Sequence, residues 1–142
     1  MSNYLLPIHY EYAAAIYAGT KRYEIRRHIP NLKLGDYVYL YETSPIQRVT
    51  GYFIVDNIIL GSPAWLYLQF HKWCGISEDK YFAYTKDKEI VYWLHCHNPR
   101  KLPHPITLLD FGINYHPQSW VKLQSSLDND IDSVMDYLFS RP

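Results

Sequence analysis

A helical pattern gives way to a strand pattern around Gly19, and this switch constrains the fold more than any other feature of the chain. Residues 10–18 contain three consecutive alanines, which favour a helix. Gly19 stands where the C-terminus of a helix accepts a positive φ angle. Residues 23–27 then carry a strand pattern that Pro30 closes. The junction predicts an α+β domain in which short helices interrupt the strands.

The strand after Gly19 is strongly charged. It holds Lys21, Arg22, Arg26 and Arg27 against a single carboxylate, Glu24. Because side chains alternate along a strand, Arg22, Glu24 and Arg26 are predicted to share one face. Arginine matches phosphate or carboxylate groups with two parallel hydrogen bonds, and lysine supplies a point charge. The segment therefore predicts an anion-accepting site, although charges that protect an exposed sheet edge explain it too.

Further strands and helices are predicted along the chain. The strands cover residues 4–8, where Pro7 indicates an edge strand, residues 37–41, residues 49–60 with Gly51 as a bulge, and residues 90–96. On the strand at residues 37–41 the alternation places Tyr37, Tyr39 and Tyr41 on one face. Helices are predicted at residues 64–73 and 78–84, with Ser62 and Ser77 as their N-caps.

Prolines and acids dominate the last third of the chain. Pro99, Pro103 and Pro105 predict a stiff connection, followed by a short strand or turn at residues 106–109. Residues 130–139 place apolar side chains at helical spacing, with acidic residues on the opposite face. This acidic helix is a candidate to fold over the basic segment and inhibit it.

Composition limits the class of protein. The chain has 142 residues, of which 48% are hydrophobic and 20% charged, as expected for one compact domain. The formal net charge of zero argues against attraction of the whole molecule to nucleic acid. With two cysteines, no signal peptide at the N-terminus and no apolar run long enough for a membrane span, we expect a cytoplasmic protein.

Four short motifs resemble those of the ASCH domain family, a branch of the PUA-like superfamily. The segment from Gly19 to Arg26 is similar to the family's G-x-K-x-x-E-x-R signature. The other three are the Leu-Gly-Asp turn at residues 34–36 that leads into a strand, Pro-Ile-Thr-Leu at residues 105–108, and Pro-Gln-Ser-Trp at residues 117–120. The resemblance covers roughly residues 7–123.

The resemblance implies a small PUA/ASCH-like β-barrel with short helices inserted between its strands. Residues 1–123 would form this domain, and residues 124–142 a C-terminal acidic helix packed on or beside it. Family members bind RNA or other nucleic acid in a cleft between the first helix, the signature strand and the barrel. Lys21, Glu24 and Arg26 match the signature, and Gln118 and Ser119 match the late motif.

The leading hypothesis is a protein that binds single-stranded RNA, or another ligand containing a nucleotide, without a cofactor. Arg22 and Arg26 would contact phosphates, and Tyr39 or Tyr41 would stack on a base, a contact that tolerates any sequence. Ser44, Gln118 and Ser119 are predicted to complete the cleft.

A hydrolase of RNA or of a modified nucleoside is the alternative, with Lys21 and Glu24 as catalytic residues. The amidohydrolases of the family place a threonine nucleophile where this chain has Glu24, which argues against that chemistry. His95 and His97 suggest a zinc site, but their spacing matches no common structural pattern, so no metal is predicted. An interaction module is a third class, based on the aromatic side chains at residues 65–73, which packing against the core also explains.

Overall fold

The computed structural model describes residues 2–123, and its framework is a six-stranded mixed sheet in the order β2-β5-β4-β3-β1-β6. The strands are β1 (Asn3–Ile8), β2 (Tyr23–Arg26), β3 (Tyr37–Glu42), β4 (Arg48–Gly61), β5 (Val91–Ile106) and β6 (Val121–Lys122). Strands β1 and β3 are parallel, and the other neighbours are antiparallel. Three helices accompany the sheet, α1 (Tyr10–Ala18), α2 (Pro63–Phe70) and α3 (Glu78–Thr85), with 3-10 turns at His71–Trp73 and Leu109–Phe111. The predicted α+β class is confirmed.

The sheet is curved strongly enough to bring its two edges together. Trp120, which directly precedes β6 at one edge, donates a hydrogen bond from Nε1 to the carbonyl oxygen of His28, 3.0 Å away and just beyond β2 at the other edge. Its ring centroid lies 6.0 Å from the guanidinium carbon of Arg26 in β2. Among the described strands, however, β2 and β6 are not paired. The predicted barrel is therefore a half-barrel. Its two edges are joined by the side chain of Trp120 and not by backbone hydrogen bonds between strands.

Strand β3 lies in the middle of the sheet and buries both of its faces. Tyr39 and Tyr41 pack with Phe111 in one hydrophobic cluster. Val38 and Leu40 point the other way and pack with Ile16 of α1. The predicted alternation along this strand is confirmed, and both halves of it serve the core.

Local sequence rules set the ends of the helices. Helix α1 has the predicted bounds, and Gly19 ends it with a φ of 83°. The hydroxyl of Ser62 accepts a hydrogen bond from the backbone N–H of Trp65, and that of Ser77 accepts one from the N–H of Lys80. Both predicted caps are therefore confirmed.

Proline was a poor guide to the strands. Strand β1 is not an edge strand, because it lies between β3 and β6. Its pairing with β6 covers only Tyr4 and Leu5. Pro7 lies outside this pairing, so its missing N–H group costs no hydrogen bond to β6. Strand β5 likewise continues through Pro99, Pro103 and Pro105, where a connection was predicted. Its pairing with β2 ends at His95, so the proline-rich half is bonded on one side only, by β4.

Two predictions lie outside the described residues: the acidic helix at residues 130–139 and the separate C-terminal segment at 124–142. Strand β6 was not predicted, since two residues are too few to show a pattern. Within residues 2–123, no helix has the length and apolar character needed to cross a membrane.

Candidate functional site

Lys21, Glu24 and Arg26 come together at the bottom of a cleft, and we call these three residues the charged floor. The ammonium nitrogen of Lys21 lies 3.6 Å from one carboxylate oxygen of Glu24. A guanidinium nitrogen of Arg26 lies 3.5 Å from the other. The carboxylate thus stands between two cations, and both contacts are longer than a normal hydrogen bond. Both oxygens therefore keep the capacity to accept a bond from a ligand.

Lys21 is 3% exposed, which is unusual for a lysine. Its ammonium group also donates a hydrogen bond to the carbonyl oxygen of Cys74, and it lies 5.5 Å from the ring centroid of Tyr12. The stem of the side chain crosses Gly75, where an added Cβ atom would stand 2.5 Å from Cβ of Lys21 and 2.7 Å from its Cγ. Gly75 therefore leaves the space through which the side chain of Lys21 reaches Glu24.

The backbone fixes the segment before β2 on two sides. The N–H groups of Thr20 and Lys21 both donate to the carbonyl oxygen of Ala15 at the end of α1. The N–H of Arg22 donates to Trp73, and the carbonyl oxygen of Arg22 accepts from Cys96 in β5. These bonds hold Lys21 in place independently of any ligand.

Arg22 does not join Glu24 and Arg26, contrary to the predicted alternation. It precedes β2, is exposed, and places its guanidinium 3.9 Å from the ring centroid of Trp73, outside the cleft lining. Lys21 takes the predicted place of Arg22 because residues 20–22 are a loop, and strand alternation does not extend into it.

The cleft above the charged floor has a volume of about 280 Å³. Its polar rim consists of His9, Tyr12, Lys80 and Tyr84. The remaining walls are apolar and come from Pro7, Ile8, Ile25 and Ile76. Three separate parts of the chain thus enclose it: the β1–α1 junction, β2, and α3 with the loop before it.

The rim residues were missed by sequence reasoning. His9 is the N-cap of α1, where its Nδ1 accepts a hydrogen bond from the N–H of Glu11 at 3.3 Å. Tyr84 accepts a bond from the backbone N–H of Arg27 at 3.3 Å, which ties α3 to the end of β2. Lys80 and Tyr84 are four residues apart, and this spacing in the sequence indicates that both lie on one face of a helix. Nothing local in the sequence indicated that this face meets β2.

Tyr39 and Tyr41 are not available for stacking on a base. Both rings are buried, with 2% and 3% of their surface exposed, and they pack in the core cluster that contains Phe111. Among the described residues, the tyrosines that do line the cleft are Tyr12 and Tyr84. The predicted stacking residues on β3 therefore belong to the core, and the tyrosines of the cleft come from helices α1 and α3.

Ser44, Gln118 and Ser119 are exposed, and none of them lines the cleft. Ser44 lies in the turn between β3 and β4. Gln118 and Ser119 immediately precede Trp120, whose ring faces Arg26.

His95 and His97 face the same side of β5, as predicted, but they share a carboxylate. Nδ1 of His95 lies 2.6 Å from one oxygen of Asp56, and Nδ1 of His97 lies 3.2 Å from the other. Cys74 is buried elsewhere, next to the stem of Lys21. Residues 2–123 contain no group of three or more His, Cys, Asp or Glu side chains able to hold a metal ion.

The aromatic side chains at residues 65–73 divide between core and surface. Tyr67 and Phe70 pack against the cluster around Trp93, in line with the packing interpretation. Trp65 remains 53% exposed.

Comparison with solved structures shows the same fold in several proteins. The structure of an ASCH protein from Zymomonas mobilis superposes with a TM-score of 0.85, at 25% sequence identity, over 93% of this chain and 94% of that one. The N-terminal domain of McrB from Thermococcus gammatolerans, solved bound to m5C DNA, superposes with a TM-score of 0.61 at 13% identity, over 99% of this chain and 100% of that one. At that identity the McrB match shows the fold alone.

Sequence comparison identifies the family. A Zymomonas mobilis protein named ASCH domain-containing ribonuclease is 26% identical over 121 residues, which cover 82% of each chain. The family model of the ASCH domain matches residues 6–106, a span that includes the charged floor and all of the cleft lining. The chain belongs to the ASCH domain family.

Proposed function

We propose that this protein binds single-stranded RNA by taking one nucleotide into the cleft above the charged floor. The observation that carries the proposal is the charged floor itself, a buried carboxylate between two cations beneath an opening of about 280 Å³. Ligand pockets usually measure about 300–1,000 Å³, so this one suits a single nucleoside and not a longer stretch of chain.

The chemistry of the walls supports the same ligand. Tyr12 and Tyr84 offer aromatic surface, and Ile25 and Ile76 offer apolar surface, for the faces of a base. Lys80 at the rim lies where a phosphate outside the cleft would be attracted. A single strand fits better than a duplex, because only an unpaired base can leave its stack and enter a cleft of this size.

The relatives support nucleic acid as the ligand class. The Zymomonas mobilis protein at 26% identity is named a ribonuclease, and one of the proteins that share the fold was solved with DNA. These names describe those proteins, and they guide the choice of ligand to test here.

The proposal predicts that Lys21→Ala combined with Arg26→Ala weakens RNA binding at least tenfold. Each substitution removes a donor from the charged floor, and charge-assisted hydrogen bonds contribute about 1.5–3 kcal/mol each. Fluorescence anisotropy with a labelled RNA of about ten nucleotides, at low and at physiological salt, measures the effect. The affinity of the wild-type protein should also fall steeply as salt is raised.

Arg22→Ala combined with Arg27→Ala is the matched control. It removes the same number of charges from the same segment, but neither side chain lines the cleft. We expect a loss of no more than a few-fold. Equal losses in the two double variants would mean that the protein holds RNA by general charge and not by the cleft.

RNA cleavage is the second candidate function, favoured by the name of the 26% identical relative. Lys21, Glu24 and His9 are among the groups lining the cleft that can transfer protons. An amidohydrolase with a hydroxyl nucleophile fits less well, because the described residues lining the cleft include no serine or threonine. Running the binding mixtures on a denaturing gel separates the two functions: cleavage that disappears in the Lys21→Ala/Arg26→Ala variant would identify a nuclease.

A further inference from the structure

The charged floor presents a pattern of hydrogen-bonding groups, and this pattern selects among bases. Glu24 can only accept, Lys21 and Arg26 can only donate, and the two cations lie on opposite oxygens of the carboxylate. The order across the floor is therefore donor, acceptor, donor. A ligand that satisfies it has to offer an acceptor, a donor and an acceptor in a row.

We propose that the cleft recognises the imide edge of a uracil base. This edge consists of the carbonyl oxygen O4, the N3–H group and the carbonyl oxygen O2, which is the complementary order. N3–H would donate to Glu24, and the two carbonyl oxygens would accept from Lys21 and Arg26. The inference rests on the proposed function, because it names the base that the RNA-binding cleft takes.

Two features of the charged floor show that it has capacity for such a ligand. Nε of Arg26 is buried and has no hydrogen-bond partner among the described residues. A buried donor without a partner is uncommon and costs free energy until an acceptor reaches it. The Lys21 ammonium group has three N–H bonds and donates one of them to Cys74, while its contact with Glu24 at 3.6 Å is longer than a normal hydrogen bond, so it keeps donor capacity for a ligand.

The same floor rejects the other bases. Cytosine would place the lone pair of its N3 against the carboxylate of Glu24. Guanine can reach Glu24 with its N1–H and exocyclic amino groups, but it then has a carbonyl oxygen for only one of the two cations, and adenine has no carbonyl oxygen for either. Each mismatch leaves a polar group of the floor without its contact to the ligand, and sites that hydrogen-bond their ligand discriminate far more strongly than apolar pockets do.

Competition binding with the wild-type protein tests the assignment. A labelled oligouridine of about ten nucleotides is displaced with unlabelled oligouridine, oligocytidine, oligoadenosine and oligo(3-methyluridine). We expect oligouridine to compete at least tenfold better than the other three. The 3-methyl compound is the decisive one, since it replaces only the N3–H donor with a methyl group. Oligodeoxyuridine, which has the same base and lacks only the 2′-hydroxyl groups, shows whether the ribose matters.

A substitution in the protein checks the same contact from the other side. The amide of Glu24→Gln can either accept from uracil N3–H or donate to cytosine N3. The preference for uracil over cytosine should therefore fall at least several-fold in this variant. In Arg22→Ala, which alters a side chain outside the cleft, the preference should stay as in the wild type.

The possible results separate this inference from the function beneath it. Binding that depends on Lys21 and Arg26, but does not distinguish uridine from cytidine or from 3-methyluridine, would overturn the base assignment and leave RNA binding intact. If no oligonucleotide binds, free uridine and cytidine are titrated with detection by NMR. A preference for uridine over cytidine that falls in Glu24→Gln would support the assignment and end the proposal of an RNA-binding protein. Absence of uridine binding would overturn both.

Discussion

Gly75 determines whether the side chain of Lys21 can reach Glu24, although Gly75 itself has no functional side chain. Its φ of 64° lies in the left-handed region, which favours glycine, and its missing side chain leaves room for the stem of Lys21. Gly19 also has a positive φ, of 83°, but a Cβ atom there would meet nothing within 4 Å. The two glycines share a backbone requirement and differ in the space around them.

Gly75→Ala should therefore cost more than Gly19→Ala, in both stability and binding. The left-handed conformation alone costs a side chain about 1–2 kcal/mol, and crowding a packed stem adds about 1–3 kcal/mol. Urea denaturation of the two variants measures the difference. Gly75→Ala should also weaken RNA binding, because Lys21 has to move. Equal free energies of unfolding and equal affinities in the two variants would show that the contact with Lys21 is unimportant.

At the scale of elements, helix α3 provides one wall of the cleft and helix α2 provides none. Both helices are short, and both begin at a serine cap. Helix α3 brings Lys80 and Tyr84 to the rim, and its loop brings Ile76. The position of this wall therefore depends on how well one short helix is formed.

The caps provide a matched pair of substitutions. Ser77→Ala and Ser62→Ala each remove an N-cap hydroxyl and should each lower stability by about 1 kcal/mol. Only Ser77→Ala should also weaken RNA binding, by a few-fold, because it loosens the helix that holds Lys80 and Tyr84. Thermal denaturation and anisotropy together provide the check. A loss of affinity in Ser62→Ala as large as in Ser77→Ala would contradict a special role for α3.

At the scale of the whole molecule, buried hydroxyl and thiol groups make the fold sensitive to alkali. Burial raises the pKa of Tyr17 well above its ordinary value of 10.0. Burial, with the carboxylate of Glu24 as a second cause, raises the pKa of the Cys96 thiol well above 9.0. Burial also raises the pKa values of Tyr4, Tyr52 and Tyr81. All of these groups are protonated in the folded protein at a pH where the unfolded chain has begun to lose its protons.

The free energy of unfolding should therefore fall as the pH rises above about 9. Below the ordinary pKa values both states are protonated, and the stability contributed by these groups is fully present. Above them the unfolded state gains about 1.4 kcal/mol per pH unit for each fully buried group. Urea denaturation between about pH 7 and 11 measures the slope, and Tyr17→Phe should make it shallower. A stability that stays constant up to about pH 11 would contradict the prediction.

Helices and their ends were predicted well from the sequence because local rules determine them. The site was predicted less well because it is built from segments far apart in the chain. The Ala-rich run with Gly19 gave α1 its bounds, and Ser62 and Ser77 were identified as caps. Lys21, Glu24 and Arg26 were named as site residues, and the structure brings them together. The start of this strand was predicted correctly at residue 23, and Arg22 was placed wrongly because the strand alternation was extended to a residue that precedes it.

The other differences come from tertiary contacts. Tyr39 and Tyr41 form one face of their strand, as predicted, but a central strand buries both faces, and only the sheet order shows that β3 is central. His9, Lys80 and Tyr84 belong to segments far apart in the chain, and no local pattern relates them to β2. The contact of Trp120 with the opposite edge of the sheet likewise depends on curvature that no single segment encodes.

The pairing of Gly61 with Val91 divides the molecule into a frame and a replaceable part. The segment between these two residues, which includes α2 and α3, leaves the sheet at the end of β4 and returns to it at the start of β5, where Gly61 and Val91 pair. A segment attached in this way can be exchanged without altering strand register. The charged floor belongs to the frame, and the wall formed by Ile76, Lys80 and Tyr84 belongs to the segment. Grafting another sequence over residues 76–90, while keeping Trp73, Cys74 and Gly75 that hold Lys21 and the start of β2, is thus a route to new ligand preferences with the polar contacts of the charged floor unchanged.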